Sequence, residues 1–240
     1  MSISDAELTQ YWAIIDEINR YAQADFVALW RQLEREDRDT LFRGLRDGVP
    51  EIVELYRNAQ ADAAMVFYES TQGVAYDRAA AVAAGAVNEE QVEAALRYAV
   101  FAPGVSSPVG IASGAVQKLV LDGGREYATQ VFGAEGWFRA ARPDACAFCQ
   151  MLATRAATDW RPYTSADAAM YIGRGKSSRK GPSANQYHGH CRCIPVRASE
   201  YQPPDYVEEW TETYYKAVRD ADSTNYRAVL STMRQMNGTH

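Results

Sequence analysis

The residues able to do chemistry are gathered in two short clusters. Cys146-Ala147-Phe148-Cys149 forms the first, and His188-Gly189-His190-Cys191-Arg192-Cys193 forms the second. All four cysteines of the chain lie there, with two of its three histidines; the third, His240, is the last residue. A Cys-x-x-Cys turn brings two thiolates to face one point, which is half of a tetrahedral zinc site. The second cluster offers the other half. In an extended segment Cys191 and Cys193 share one face, whereas a tight turn brings His188 beside Cys191. The expected zinc set is therefore Cys146, Cys149 and Cys191, completed by His188 or Cys193, with His190 the weakest candidate. Mostly thiolate ligands make a closed, structural site, whose binding energy is also local folding energy.

Competing chemistries fare worse. A redox Cys-x-x-Cys would sit in a βαβ pattern, and none surrounds it. Disulfides are the alternative for a mature extracellular particle, but clustered cysteines in a reducing cytosol more often bind metal. Gly173-Arg174-Gly175-Lys176-Ser177-Ser178 has the look of a phosphate loop. The Walker pattern, however, needs a glycine where Met170 stands, and Pro182 follows where a helix should run. Ser183 near His188 is not a triad by proximity. Neither a Gly-x-Ser-x-Gly elbow nor a His-Glu-x-x-His helix occurs. The loop does carry Arg174, Lys176, Arg179 and Lys180, the one basic concentration in a chain of net charge −6. Cations on a glycine-rich loop suit DNA-phosphate contact or an acidic partner. The simpler reading is a solvated loop.

The elements that must position these residues read mostly as helix. Ser4-Asp5-Ala6-Glu7 is a capping box, followed by Leu8, Tyr11, Trp12, Ile15, Ile18 and Ala22 at helical spacing. Asp25 opens a second helix through Phe26, Leu29, Trp30 and Leu33. Gly48 and Pro50 break the next segment, and Pro50 starts a helix whose face is Ile52, Tyr56, Ala59, Ala63, Val66 and Phe67. Ala75 to Ala86 is helix or close-packed backbone. Asn88 caps a helix that ends before Pro103-Gly104, and Ser107-Pro108 opens another, punctuated at Asp122-Gly123-Gly124. Trp137 to Ala141 is a short strand, Asp144 caps a short helix bearing Cys146 and Cys149, and 165–170 makes one or two helical turns. Cys191 to Val196 is a second strand. Beyond Pro203-Pro204, Val207, Trp210, Tyr214, Ala217 and Val218 mark a helix, and Tyr226, Val229, Leu230 and Met233 mark a last one.

The fold class is thus mainly α: a long helical part at 1–136, a small zinc-stapled α+β module at 137–197, and C-terminal helices at 198–240. With 47 % hydrophobic residues there is material for a real core. A signal peptide and a membrane-spanning apolar run are both absent from the expectation.

The cysteine motifs also carry a family resemblance. Asp144-Ala145-Cys146-Ala147-Phe148-Cys149-Gln150-Met151-Leu152-Ala153-Thr154-Arg155 and Tyr187-His188-Gly189-His190-Cys191-Arg192-Cys193-Ile194-Pro195-Val196 resemble the C-terminal motif of MuF-like minor capsid proteins of tailed bacteriophages. The variant is that seen in phages of actinobacterial hosts. The resemblance implies a structural, non-enzymatic head-morphogenesis protein, assembled in the bacterial cytoplasm and retained in the capsid interior near the portal. Its expected partners are the portal protein, the major capsid protein and possibly packaged DNA, with no small-molecule substrate and no membrane. Related phage proteins are sometimes capsid maturation proteases, which leaves that activity, or a zinc-dependent DNA-contacting module, as the alternatives.

Overall fold

The computed structural model describes residues 3–158 apart from 105, then 161–163, and 191–238 apart from 224. The expected turns at 165–170, the basic loop with Arg174, Lys176, Arg179 and Lys180, and both His188 and His190 lie outside the described residues. The chain divides into two compact units. One is Ala6–Val131; the other joins Met1–Asp5 to Phe132–Tyr187 and Cys191–His240.

The first unit is built from five helices: α1 (Asp5–Leu33), α2 (Arg38–Gln72), α3 (Arg78–Gly85), α4 (Glu89–Phe101) and α5 (Pro108–Phe132). Side-chain caps start α2, α4 and α5, the last two at the expected residues. Asp37 accepts from the amides of Asp39 and Thr40, both at 3.0 Å. Asn88 accepts from the Gln91 amide at 3.0 Å, and Ser107 accepts from the Gly110 amide with Pro108 at the first helical position. The core joins Phe26, Trp30, Phe42, Leu45, Val49 and Val53 to Val92, Leu96, Val116 and Val120.

Three expected breaks do not occur. Helix α1 passes through Asp25 because Ala22, Phe26 and Trp30 continue one buried stripe. The Asp25 carboxylate accepts a hydrogen bond from the Tyr56 hydroxyl at 2.6 Å instead of capping a new helix. Helix α2 passes through Gly48 and Pro50, a proline that costs one ladder hydrogen bond, while buried Val49 and Val53 hold the turns on either side. Gly48 and Gly44 lie against α1, where an added Cβ would come within 2.9 Å of Leu29 and 2.7 Å of Leu33. Helix α5 passes through Gly123-Gly124 for the same reason. A Cβ on Gly123 would sit 2.2 Å from the Arg57 carbonyl oxygen, and one on Gly124 3.0 Å from that of Gln60. Gly123 and Gly124 let α5 approach the backbone of α2, while Gly44 and Gly48 leave room for leucine side chains of α1, roles that local punctuation rules do not register.

Of the face expected for α2 only Phe67 is fully buried. Val66 is 57 % exposed, and Ile52, Tyr56, Ala59 and Ala63 are only half-buried. The buried stripe is Val53, Arg57, Gln60, Ala61, Ala64 and Tyr68. Apolar periodicity misses it because two of its members are polar, made buriable by their partners. Arg57 donates to the carbonyls of Ala84 (2.8 Å) and Leu119 (2.9 Å) and pairs with Glu126. Gln60 donates to the Ile15 carbonyl at 2.9 Å.

The second unit holds a two-stranded antiparallel sheet, β1 (Trp137–Ala140) and β2 (Ile194–Arg197), with Arg139 opposite Pro195 and Ala140 opposite Ile194. Helices α6 (Ala147–Ala153), α7 (Asp205–Asp220) and α8 (Tyr226–Asn237) complete it. Both C-terminal helices pack on α6, burying Val207, Trp210, Ala217, Val229, Leu230 and Met233 as their periodicity predicts. Asn237 donates to Gln150 at 2.7 Å and so ties the end of α8 to α6. The expected class holds: a mainly helical chain with one small sheet.

Candidate metal centre

The CAFC segment delivers its two sulfurs from a helix start. Cys146 is extended (φ −65°, ψ 158°) at the N-cap of α6, and Cys149 lies in the first turn. Asp144, the expected cap, sits two residues before that position and its carboxylate is exposed. Gln150 locks the turn by donating from its side chain to the Ala145 carbonyl at 2.8 Å, while its amide bonds the Cys146 carbonyl at 2.9 Å. Cys191 and Cys193 arrive on the segment leading into β2. Its pairing with β1 brings them back to α6.

The outcome is a thiol cluster. The ligand atoms of Cys149, Cys191 and Cys193 all lie within 4.8 Å of one another, and each of the three residues is buried. Cys149 Sγ and Cys191 Sγ are 3.4 Å apart. Cys146 is half-buried. All four are free thiols, since a disulfide requires sulfurs ~2.0 Å apart. Sulfurs ~2.3 Å from one ion stand ~3.8 Å from each other in a tetrahedron, and the three sulfurs of Cys149, Cys191 and Cys193 are close enough to share one ion. The donors therefore fit a thiophilic divalent metal. Of the expected set, Cys149 and Cys191 converge and Cys193 joins them, whereas Cys146 stands outside the group whose ligand atoms all lie within 4.8 Å of one another.

Without a cation, such crowding favours the neutral thiol. The sulfur of Cys146 first, then those of Cys191 and Cys193, then burial, push the Cys149 thiol far above its ordinary value. Cys193 is also raised: its bond with Cys149 works downward, but Cys191 and burial outweigh it. A bound metal reverses this balance by taking thiolates directly.

The surroundings are apolar. Ala141, Val207 and Trp210 pack on the sulfurs, with Tyr206 at the edge. The Tyr206 hydroxyl donates to the Ala141 carbonyl at 2.9 Å, which pins α7 to the end of β1. Arg139 is 1 % exposed. Its sequence signal is an arginine between apolar neighbours on a short strand, alternating toward the cysteine face.

The fold and centre together define a mainly helical protein with a buried thiol cluster able to hold a metal ion. The chain matches the VG15 protein family over residues 2–217 and belongs to that family, a family of phage proteins. No curated protein and no solved structure matches it. Among the described residues, no helix is long and apolar enough to cross a membrane.

Proposed function

We propose that this chain is a structural minor capsid protein of a tailed phage, acting in head morphogenesis at or near the portal inside the capsid, and that its cysteine cluster holds one zinc ion. Membership of a phage family across residues 2–217 carries the reading. The paired cysteine motifs narrow it to the MuF-like type. Cys149, Cys191 and Cys193 bind the ion, with Cys146 or His188 as the fourth ligand. A site filled by four protein ligands leaves no open position for substrate, so the metal serves as a staple. It joins α6 to the segment entering β2 across a long intervening stretch of chain. The working surfaces are helical: Ile14 and Tyr21 on α1, and Leu55 and Val66 on α2, are exposed apolar side chains suited to portal or capsid contact.

Co-expression with portal, scaffold and major capsid proteins tests this. The chain is expected in purified procapsids in a few copies, and only when portal is present. Specific cleavage of a capsid protein, abolished by Ser183→Ala or His188→Ala, would overturn the structural reading in favour of a maturation protease.

A further inference from the structure

Gln150 follows Cys149 directly in α6 and is itself buried. It holds two successive carbonyls of the turn that carries the first cysteine pair. Its main-chain amide bonds the Cys146 carbonyl at 2.9 Å, and its side-chain Nε2 donates to the Ala145 carbonyl at 2.8 Å. A main-chain carbonyl only accepts, so the nitrogen of the Gln150 amide faces Ala145 and its oxygen is left for another donor. That oxygen accepts from Asn237 Nδ2 at 2.7 Å, from a residue eighty-seven positions further along the chain. The direction of the relay is therefore fixed: Asn237 donates to Gln150, and Gln150 donates to Ala145. Asn237 is the last residue of α8, held there by Gly238, which turns left-handed and bonds the Arg234 carbonyl. Helix α8 lies beyond residues 2–217, the span that matches the family.

Helix α6 thus serves two cores at once. Cys149 and Ala153 belong to the sulfur side, while Ala147, Met151 and Leu152 pack with Val229, Leu230 and Met233 of α8. Gln150 is the polar link between them. We infer that Gln150 and Asn237 are positioning residues of the cysteine centre, through which docking of α8 and binding of a metal reinforce one another. The inference rests on the metal reading above, and neither residue touches the ion. Gln150 fixes the backbone on which Cys146 and Cys149 stand. Asn237 fixes which way the Gln150 amide points. Without that donor the amide is free to turn about its last torsion, where the barrier is broad and low, and the hold on Ala145 is lost. A metal then has to order the turn itself. Coupling between two binding events is reciprocal, so a metal that orders the turn also tightens α8 by the same factor.

The test uses the full chain with Zn2+ alone. Affinity is read by competition with a chromophoric chelator, and α8 docking by amide hydrogen exchange over 226–237. Asn237 is exposed at the end of its helix, so Asn237→Ala leaves both cores intact. It should weaken Zn2+ binding about tenfold, the lower end of the usual cost of losing a group that supports a metal ligand. Asn237→Gln keeps a donor and should stay within about threefold of wild type. In wild type, Zn2+ should slow exchange throughout α8; in Asn237→Ala that response should disappear. Val229→Ala is the control, because it loosens the buried face of α8 and leaves the relay in place. Its α8 amides should exchange faster, yet still slow when Zn2+ is added. A purely structural Asn237 predicts that Asn237→Ala behaves as Val229→Ala does, with the metal response kept. That outcome, or wild-type Zn2+ affinity in Asn237→Ala, overturns the inference alone. Absence of Zn2+ binding by wild type overturns the metal reading and the inference with it.

Discussion

Cys149 and Cys191 are forty-two positions apart in the chain, and their sulfurs stand 3.4 Å apart in the fold. One lies in the first turn of α6, the other two residues before Cys193 on the way into β2. Nothing local joins them. The β1–β2 ladder and the packing of α7 against α6 set the distance, and the metal that the sulfurs invite would make it permanent.

Zinc occupancy should follow from that geometry. Elemental analysis of the purified chain is expected to give one zinc per molecule. Cys149→Ser and Cys191→Ser should each lose it and unfold at lower temperature than wild type, because metal binding and local folding are one equilibrium. Wild type treated with a strong chelator should reproduce the variants. Thermal stability of the chelated wild type equal to the untreated protein would count against a stapling role.

The close approach of α2 and α5 makes a second expectation. An alanine in a helix interior ordinarily gains about 1 kcal/mol over glycine. At Gly123 the new Cβ meets the Arg57 carbonyl at 2.2 Å, a backbone atom that cannot swing aside. Overpacking of this kind costs about 1–3 kcal/mol, so Gly123→Ala should be destabilising overall by urea denaturation. Gly48→Ala meets only the tip of Leu29 and should be near neutral.

Arg57 is the centre of a buried polar set. Arg57→Met leaves the Ala84 and Leu119 carbonyls without their donor and removes the cation from Glu126. Unsatisfied buried acceptors cost about 1–3 kcal/mol each; Glu126 is partly open to water, which reduces its share. A loss of at least about 2 kcal/mol in urea denaturation is expected.

Tyr206 supplies a pH-dependent contribution in the cysteine unit. Burial, with Asp5 and Cys193 adding to it, pushes its phenol from 10.0 up to about 12. The folded state thus prefers the neutral hydroxyl that donates to Ala141. Its contribution is complete below pH 10 and is lost as pH rises through about 12. Tyr206→Phe should cost about 1 kcal/mol at neutral pH and should flatten the alkaline limb of the stability profile. An unchanged slope between pH 10 and 12 in denaturant titrations would show that Tyr206 contributes nothing there.

Some helix beginnings are readable residue by residue. Asn88, Ser107 with Pro108, and the Ser4 start all act within one turn of themselves, so their neighbours in sequence are their neighbours in space. Helix continuations were not. Asp25, Pro50 and Gly123-Gly124 carry the composition of breaks, yet each sits inside a helix whose buried stripe or close packing against another helix overrides local preference. The face of α2 was misplaced for a related reason: Arg57 and Gln60 are polar by type, and only partners brought in from α1, α3 and α5 make their burial favourable.

By itself the sequence determined the mainly helical class, the two cysteine pairs as the chemical centre, and the amphipathic faces of α7 and α8. Each is a matter of residue type and short spacing. Only the tertiary structure decided that Cys149, Cys191 and Cys193 converge and that Arg139 faces the same side of the hairpin. It also decided that glycines serve helix contact instead of helix ends. Those are relations between segments far apart in the chain, and they are set by strand register and by how closely two backbones can approach.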